Sequence, residues 1–96
     1  MQYNLSERLV NEISGFAQES GVKKIILFGS RAKGTNTSRS DVDIAVYGGD
    51  FDSFYWKVKE KAHSLLMFDI VEADGKLSQE LTDEIERDGI VIYEKA

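Results

Sequence analysis

The chain has 96 residues with no cysteine and no proline, and 42% of the residues are hydrophobic. This composition fits one compact domain over residues 1–96 that folds without disulfides. The formal net charge of -5 argues against a protein that binds nucleic acid directly by neutralising its phosphates, and neither a membrane span nor a signal peptide is recognisable. A cytoplasmic location without membrane attachment is therefore the default expectation.

The first half of the chain contains one helical and two extended patterns. Residues 5–20 have apolar side chains at helical spacing, and residues 24–28 (KIILF) form a short apolar run that predicts a buried strand. Polar residues 31–40 predict one helical turn followed by a loop. The alternating run of residues 41–47 (DVDIAVY) predicts a second strand that ends at two glycines.

The second half contains two helical and two extended patterns. Residues 51–66 predict a helix that buries a stripe extending to Leu65, and the aromatic residues Phe51, Tyr55 and Trp56 are expected to pack in the core. His63 is expected to be a surface side chain. Residues 67–73 (MFDIVEA) predict a third strand, residues 77–87 a third helix and residues 90–93 a last strand.

Charge is concentrated unevenly along this pattern. No acidic residue occurs between Glu19 and Asp41, whereas that interval contains the basic residues Lys23, Lys24, Arg31, Lys33 and Arg39. A basic segment that ends abruptly in aspartates favours a site where a phosphate and a metal ion meet. Lys23 and Lys24 are explained equally well as surface lysines that flank a strand.

The first strand ends at Gly29 and Ser30, and the second begins with Asp41 and Asp43. Residues i and i+2 of a strand lie on the same face, about 6.6 Å apart, so the two carboxylates point into one site. Their mutual repulsion is relieved if they share a hard cation such as Mg²⁺. Two such ions could activate an attacking hydroxyl group and stabilise a leaving pyrophosphate.

The Gly-Ser pair fits the phosphate end of the same site. Gly29 allows the backbone to approach a phosphate closely, and Ser30 offers a hydroxyl and an N–H group at the start of a helical turn. Arg31, Lys33 or Arg39 could add charge-assisted bonds to a triphosphate, and each could equally be a solvated loop residue.

The spacing of these residues, Gly-Ser followed after ten residues by Asp-x-Asp, resembles the defining motif of the DNA polymerase beta superfamily. The whole chain is similar to the minimal nucleotidyltransferase family of that superfamily. The resemblance implies an α+β fold, a two-layer sandwich of a mixed sheet with helices mainly on one face. It implies that Gly29, Ser30 and Arg31 bind the nucleotide. It also implies a third carboxylate on the third strand, which would be Asp69, with Glu72 and Asp74 as nearby competitors.

The family pattern further implies an activity. Asp41, Asp43 and Asp69 would be both catalytic residues and ligands of two Mg²⁺ ions, with Mn²⁺ as a substitute, and AMP would move from ATP to a hydroxyl acceptor. The acceptor implied by the resemblance is a tyrosine of a helical HEPN toxin, which this chain would neutralise as an antitoxin in a homo- or hetero-oligomer. The alternatives are a non-catalytic antitoxin that acts by contact alone, and nucleotidyl transfer to a small molecule such as an aminoglycoside.

Overall fold

The computed structural model describes residues 5–95, and residues 1–4 and 96 of the predicted domain lie outside that range. The elements in chain order are α1 (Glu7–Ser20), β1 (Lys24–Phe28), α2 (Ser30–Lys33), β2 (Val42–Tyr47), α3 (Phe51–Lys61), β3 (Phe68–Glu72), α4 (Gln79–Asp88) and β4 (Ile90–Glu94). None of the helices in the described range is both long and apolar enough to cross a membrane.

The four strands form one mixed sheet in the order β3-β2-β1-β4. β1 runs antiparallel to both β2 and β4, whereas β3 runs parallel to β2. A parallel pair needs a crossover connection, and α3 supplies it between β2 and β3. The predicted α+β class with a mixed sheet is therefore confirmed.

The sheet has two apolar faces of unequal size. Ile25 and Leu27 of β1 belong to the larger core, which the apolar sides of α1 and α3 complete. Ile26 and Phe28 point to the opposite face, where they pack with Ile85 of α4 in a smaller cluster. Alternation along β1 thus divides the helices, with α1 and α3 on one face and α4 on the other.

Three helices begin at side chains that cap their free N–H groups. Ser6 accepts a hydrogen bond from the Leu9 N–H group of α1 at 3.2 Å, and Ser78 accepts one from the Leu81 N–H group of α4 at 3.1 Å. Asp50 performs the same role for α3. Such caps satisfy donors that have no partner inside the helix, which explains why these helices start where they do.

The prediction of a helix over residues 51–66 is wrong at its end. α3 stops at Lys61 because the next residue, Ala62, has extended backbone angles, and the chain then runs to the start of β3. Leu65 is consequently fully exposed, and the predicted core residue Trp56 is 58% exposed. His63 is a surface residue, as expected, because its side chain is exposed. Its Nδ1 atom lies 2.6 Å from the Glu12 carboxylate.

Candidate functional site

Gly29 forms the turn from β1 into α2. Its backbone angles, φ 74° and ψ -157°, lie in a region that essentially only glycine occupies. A β-carbon at this position would collide with the carboxylate of Asp43. The carbonyl of Gly29 accepts hydrogen bonds from the N–H groups of Ala32 and Lys33, each at 3.1 Å, so α2 starts immediately after the turn. Glycine is therefore required here for both its backbone angles and its lack of a side chain.

The strand registers bring the aspartates together. Asp43 lies opposite Phe28 in the antiparallel pair of β1 and β2, which places it beside the Gly29 turn. In the parallel pair of β2 and β3, Asp43 lies opposite Asp69. Paired residues project from the same face of a sheet, so both carboxylates are on the face that α4 partly covers. Asp41 is exposed and directly precedes β2, which begins one residue later than the predicted strand.

The register also separates Asp69 from its two competitors. Glu72 lies opposite Val46, three residues further along β3, and an odd spacing places it on the other face of the sheet from Asp69. Asp74 follows the strand, and its carboxylate accepts a hydrogen bond from the Gly48 N–H group. Asp69 is thus the acidic residue of this segment that lies next to Asp43.

The environment of Asp43 disfavours its charged form. Burial, together with the nearby carboxylates of Asp69, Asp41 and Glu84, raises the pKa of Asp43 to about 6. Repulsion of this kind arises where several carboxylates face one small volume without a compensating cation. A perturbed acidic group in an accessible position is also typical of functional sites.

Glu84 was not identified from the sequence. It lies on α4 beside Ile85, the buried residue with which that helix packs on the sheet. Because α4 packs on the same face of the sheet, the charge of Glu84 contributes to the raised pKa of Asp43. In the sequence, Glu84 is recognisable only as a residue next to the apolar stripe of α4. That stripe does not indicate which face of the sheet the helix covers.

Arg31 is neither a solvated loop residue nor freely exposed toward a ligand. Its side chain is 6% exposed, and its guanidinium donates to the backbone carbonyls of Ser40 at 3.1 Å and Ser38 at 3.3 Å. These bonds tie α2 to the end of the loop that leads into Asp41. The geometry makes Arg31 a support for that loop, and its direct contact with a nucleotide stays a prediction.

The site is suited to a hard cation held jointly with a substrate. Within residues 5–95, no three His, Cys, Asp or Glu side chains are arranged as a ready-made metal cage. Mg²⁺ commonly uses one or two carboxylates and fills its remaining positions with water and substrate phosphates. The all-oxygen donors of Asp41, Asp43 and Asp69 fit that chemistry, and the unfavourable charge on Asp43 would be relieved by it.

A wide groove of about 940 Å³ lies away from the aspartates. It is bounded by the start of α1, the loop after α2 and residues 63–66, and its lining includes Arg8, Asn36 and Leu65. None of Asp41, Asp43 and Asp69 contributes to it. The carboxylate site at the strand ends is therefore distinct from this groove.

The comparisons with known proteins identify a family and a fold. Residues 11–96 match the family described as polymerase beta, nucleotidyltransferase. No curated protein matches the chain significantly. A crystal structure of a toxin-antitoxin with AMP-PNP has a TM-score of 0.70 at 22% identity, covering 90% of this chain and 73% of that chain. For a mutant of the toxin-antitoxin MntA-HpeT, the TM-score is 0.69 at 24% identity, with the same coverages of 90% and 73%.

A proposed nucleotidyltransferase from Sulfolobus solfataricus is more distant, with a TM-score of 0.51 at 15% identity over 92% of this chain and 82% of that chain. At these identities the solved structures show a common fold. The family match is independent of them and spans the Gly29 turn and all three aspartates. The chain therefore belongs to the polymerase beta nucleotidyltransferase family.

Proposed function

We propose that this chain is a metal-dependent nucleotidyltransferase that moves AMP from ATP to a hydroxyl group of a partner protein. The observation that carries the proposal is the pairing of Asp43 with Asp69 across β2 and β3, with the Gly29 turn against the Asp43 carboxylate. This arrangement combines a carboxylate site with a backbone turn that a phosphate can approach closely. Both parts are needed to transfer a charged group from a triphosphate.

The proposed reaction forms one bond and breaks one bond at the α-phosphorus of ATP. The acceptor hydroxyl oxygen forms a bond to the α-phosphorus of ATP, the bond from that phosphorus to the bridging oxygen breaks, and pyrophosphate leaves. Asp69 is at the outer strand, where it can orient the hydroxyl and accept its proton. Gly29 and Ser30 hold the triphosphate from the other side of Asp43, and Arg31 fixes the loop that carries Asp41.

A divalent cation, Mg²⁺ or Mn²⁺, would be held by Asp41 and Asp43 with the support of Asp69. When bound, it supplies charge neutralisation for the triphosphate and for the pyrophosphate that leaves. To hold the cation, the carboxylates of Asp41 and Asp43 must be ionised and close together. Because the pKa of Asp43 is about 6, this requirement is met at neutral pH and is lost progressively in acid.

The proposed acceptor is a tyrosine of a helical toxin of the HEPN class. Support comes from the resemblance of the chain to minimal nucleotidyltransferases and from the fold shared with two proteins described as toxin-antitoxin, one of them with AMP-PNP. AMP-PNP is an analogue of ATP, which makes ATP the first nucleotide to test. In this role the chain would neutralise its partner by attaching AMP.

The position of a radioactive label in ATP provides a direct test of AMP transfer. The chain is incubated with Mg²⁺ and the protein that co-purifies with it, using ATP labelled at either the α- or the γ-phosphate. We expect label on the partner from α-labelled ATP only, and none in EDTA or with Asp43→Asn. Transfer of the γ-label would identify a kinase, and equal transfer by Asp43→Asn would exclude the proposed site.

A further inference from the structure

The outer edge of β3 has a defined set of free hydrogen-bonding positions. β3 is the last strand on its side of the sheet, and no other described strand lies beyond it. The Val42 N–H group donates to the Met67 carbonyl at 2.9 Å, and the Ala73 N–H group donates to the Val46 carbonyl at 2.8 Å. In a parallel ladder these bonds alternate along the strand, so the backbone groups of residues 68, 70 and 72 point outward.

The protein itself occupies both ends of this edge. Lys59 donates from its ammonium group to the Phe68 carbonyl at 2.6 Å, and the Gly75 N–H group donates to the Glu72 carbonyl at 3.1 Å. Between these contacts, both backbone groups of Ile70 and the N–H group of Glu72 face outward. Native edge strands are commonly protected against pairing with another strand. Here the contacts cover the two ends of β3 and leave the backbone groups at its centre accessible. The opening is long enough for a short extended segment.

This opening adjoins the proposed active site. Ile70 follows Asp69 directly, and Asp69 is the carboxylate that lies beside Asp43. If an antiparallel segment makes the hydrogen-bonded pair with Ile70, its next residue lies opposite Asp69, with Cα atoms about 4.5 Å apart. Residues paired across strands project from the same face. The side chain opposite Asp69 would therefore point to the carboxylates.

We propose that the acceptor protein binds by adding a short extended segment to β3, with its reactive hydroxyl residue opposite Asp69. This inference rests on the proposed function and specifies how its protein substrate is held. The hydroxyl oxygen bonds to the α-phosphorus, pyrophosphate leaves, and the hydroxyl proton passes to Asp69. Main-chain hydrogen bonds supply affinity, and alternate side chains supply specificity, as in other cases of strand addition.

The two residues that flank the hydroxyl residue in the added segment would face apolar side chains and not the carboxylates. They lie opposite Ile70 and Phe68, which are 8% and 9% exposed at the margin of the larger core. Met67 beside them is 67% exposed and adds apolar surface at the entrance. The acceptor segment should therefore carry its hydroxyl residue between two apolar residues, a pattern that an amphipathic extended segment provides.

Proline at position 72 tests the edge without breaking the sheet. Glu72 has an exposed side chain and its N–H group points away from β2, so Glu72→Pro removes one outward donor and leaves the ladder intact. Glu72→Ala is the matched control, because it removes the same carboxylate and keeps the N–H group. Both variants should bind AMP-PNP like the unmodified chain.

With the protein that co-purifies with the chain as acceptor, we expect Glu72→Pro to raise the KM for that protein by about tenfold and Glu72→Ala to leave it nearly unchanged. Amide hydrogen exchange of the unmodified chain gives a second measurement, which does not depend on the variant folding. On complex formation, exchange at Ile70 and Glu72 should slow by at least about tenfold, and exchange along β4 should not change.

The outcomes separate the docking mode from the proposed function. AMP transfer without protection of Ile70 and Glu72 would overturn the docking mode and leave nucleotidyl transfer intact. Protection of both amides without AMP transfer would support strand addition and contradict the proposed enzyme. An unchanged KM for Glu72→Pro, with the variant folded, would also overturn docking on β3.

Discussion

Gly29 and Asp43 constrain each other, because the space that a side chain would need at position 29 is occupied by the Asp43 carboxylate. We expect Gly29→Ala to lose at least about 2 kcal/mol of stability through backbone strain and the collision, and to lose nearly all transfer activity. Urea unfolding measures the first effect. Gly15→Ala is the control, since a β-carbon there meets nothing within 4 Å and should stabilise α1 by about 0.5–1 kcal/mol. Equal stability of the two variants would contradict the close contact.

Asp43 should make the metal-free protein less stable as the pH rises. Its folded pKa of about 6 lies above the ordinary value of 3.8, so between these values the folded chain keeps a proton that the unfolded chain releases. Stability therefore falls as pH rises through this window, and the full penalty applies above it. Asp43→Asn avoids the penalty, which is on the order of 1 kcal/mol after solvent screening is considered.

Thermal unfolding in EDTA checks this expectation. Asp43→Asn should melt several degrees above the unmodified chain at pH 7.5, with the difference shrinking at pH 4. Glu60→Gln, at an exposed position of α3, should show little change. With Mg²⁺ and AMP-PNP the order should reverse, because only the unmodified chain gains from binding. A variant that is less stable than the unmodified chain at both pH values would indicate that Asp43 has a structural role instead.

The sequence alone indicates candidate residues for the site, whereas part of their geometry depends on the tertiary structure. The spacing of Asp41 and Asp43 predicts two carboxylates close together without tertiary information. In the structure Asp41 directly precedes β2, and its charge contributes to the raised pKa of Asp43. The position of Asp69 depended on the register of β3 against β2, which no local pattern specifies. Family resemblance suggested Asp69, and the pairing with Asp43 separates it from Glu72.

At the level of elements, the loop between α2 and β2 depends on Arg31. Arg31→Ala removes the donors that hold the Ser38 and Ser40 carbonyls, so the loop and the start of β2 should become more mobile. We expect faster trypsin cleavage after Arg39 and about tenfold slower AMP transfer, because Asp41 follows the loop directly. Thr35→Ala, at an exposed position of the same loop, serves as control. Unchanged cleavage in Arg31→Ala would show that the loop is held by other contacts.

α3 shows where an apolar pattern misleads. Its stripe includes Phe54, which is fully buried, and the pattern continues to Leu65 although the helix ends at Lys61. Helical spacing cannot indicate that the chain must leave the helix to begin a strand parallel to β2. We expect Phe54→Ala to cost about 3–5 kcal/mol and Leu65→Ala to stay within about 0.5 kcal/mol of the unmodified chain in urea unfolding. A large loss for Leu65→Ala would indicate that residues 62–66 are helical and packed.

At the scale of the whole molecule, strand and helix patterns predicted the order of elements, and the family resemblance predicted the mixed sheet. The sequence did not reveal that, among the helices of residues 5–95, α4 is the one that packs on the face carrying Asp43 and Asp69. An amphipathic helix needs an apolar face to cover, and either face of this sheet could provide one. This arrangement leaves Asp41 and Asp69 exposed and Asp43 half-buried at the edge of the smaller core, where the proposed nucleotide and acceptor could reach them.

The central claim is that these aspartates transfer AMP to a partner protein. Its most direct test is the intact mass of the co-purifying partner after reaction with ATP and Mg²⁺. We expect additions of whole AMP units on a hydroxyl residue, absent with Asp41→Asn and absent without Mg²⁺. Inhibition of the partner with no change in mass, equally strong for Asp41→Asn, would contradict it and identify a protein that acts by contact alone.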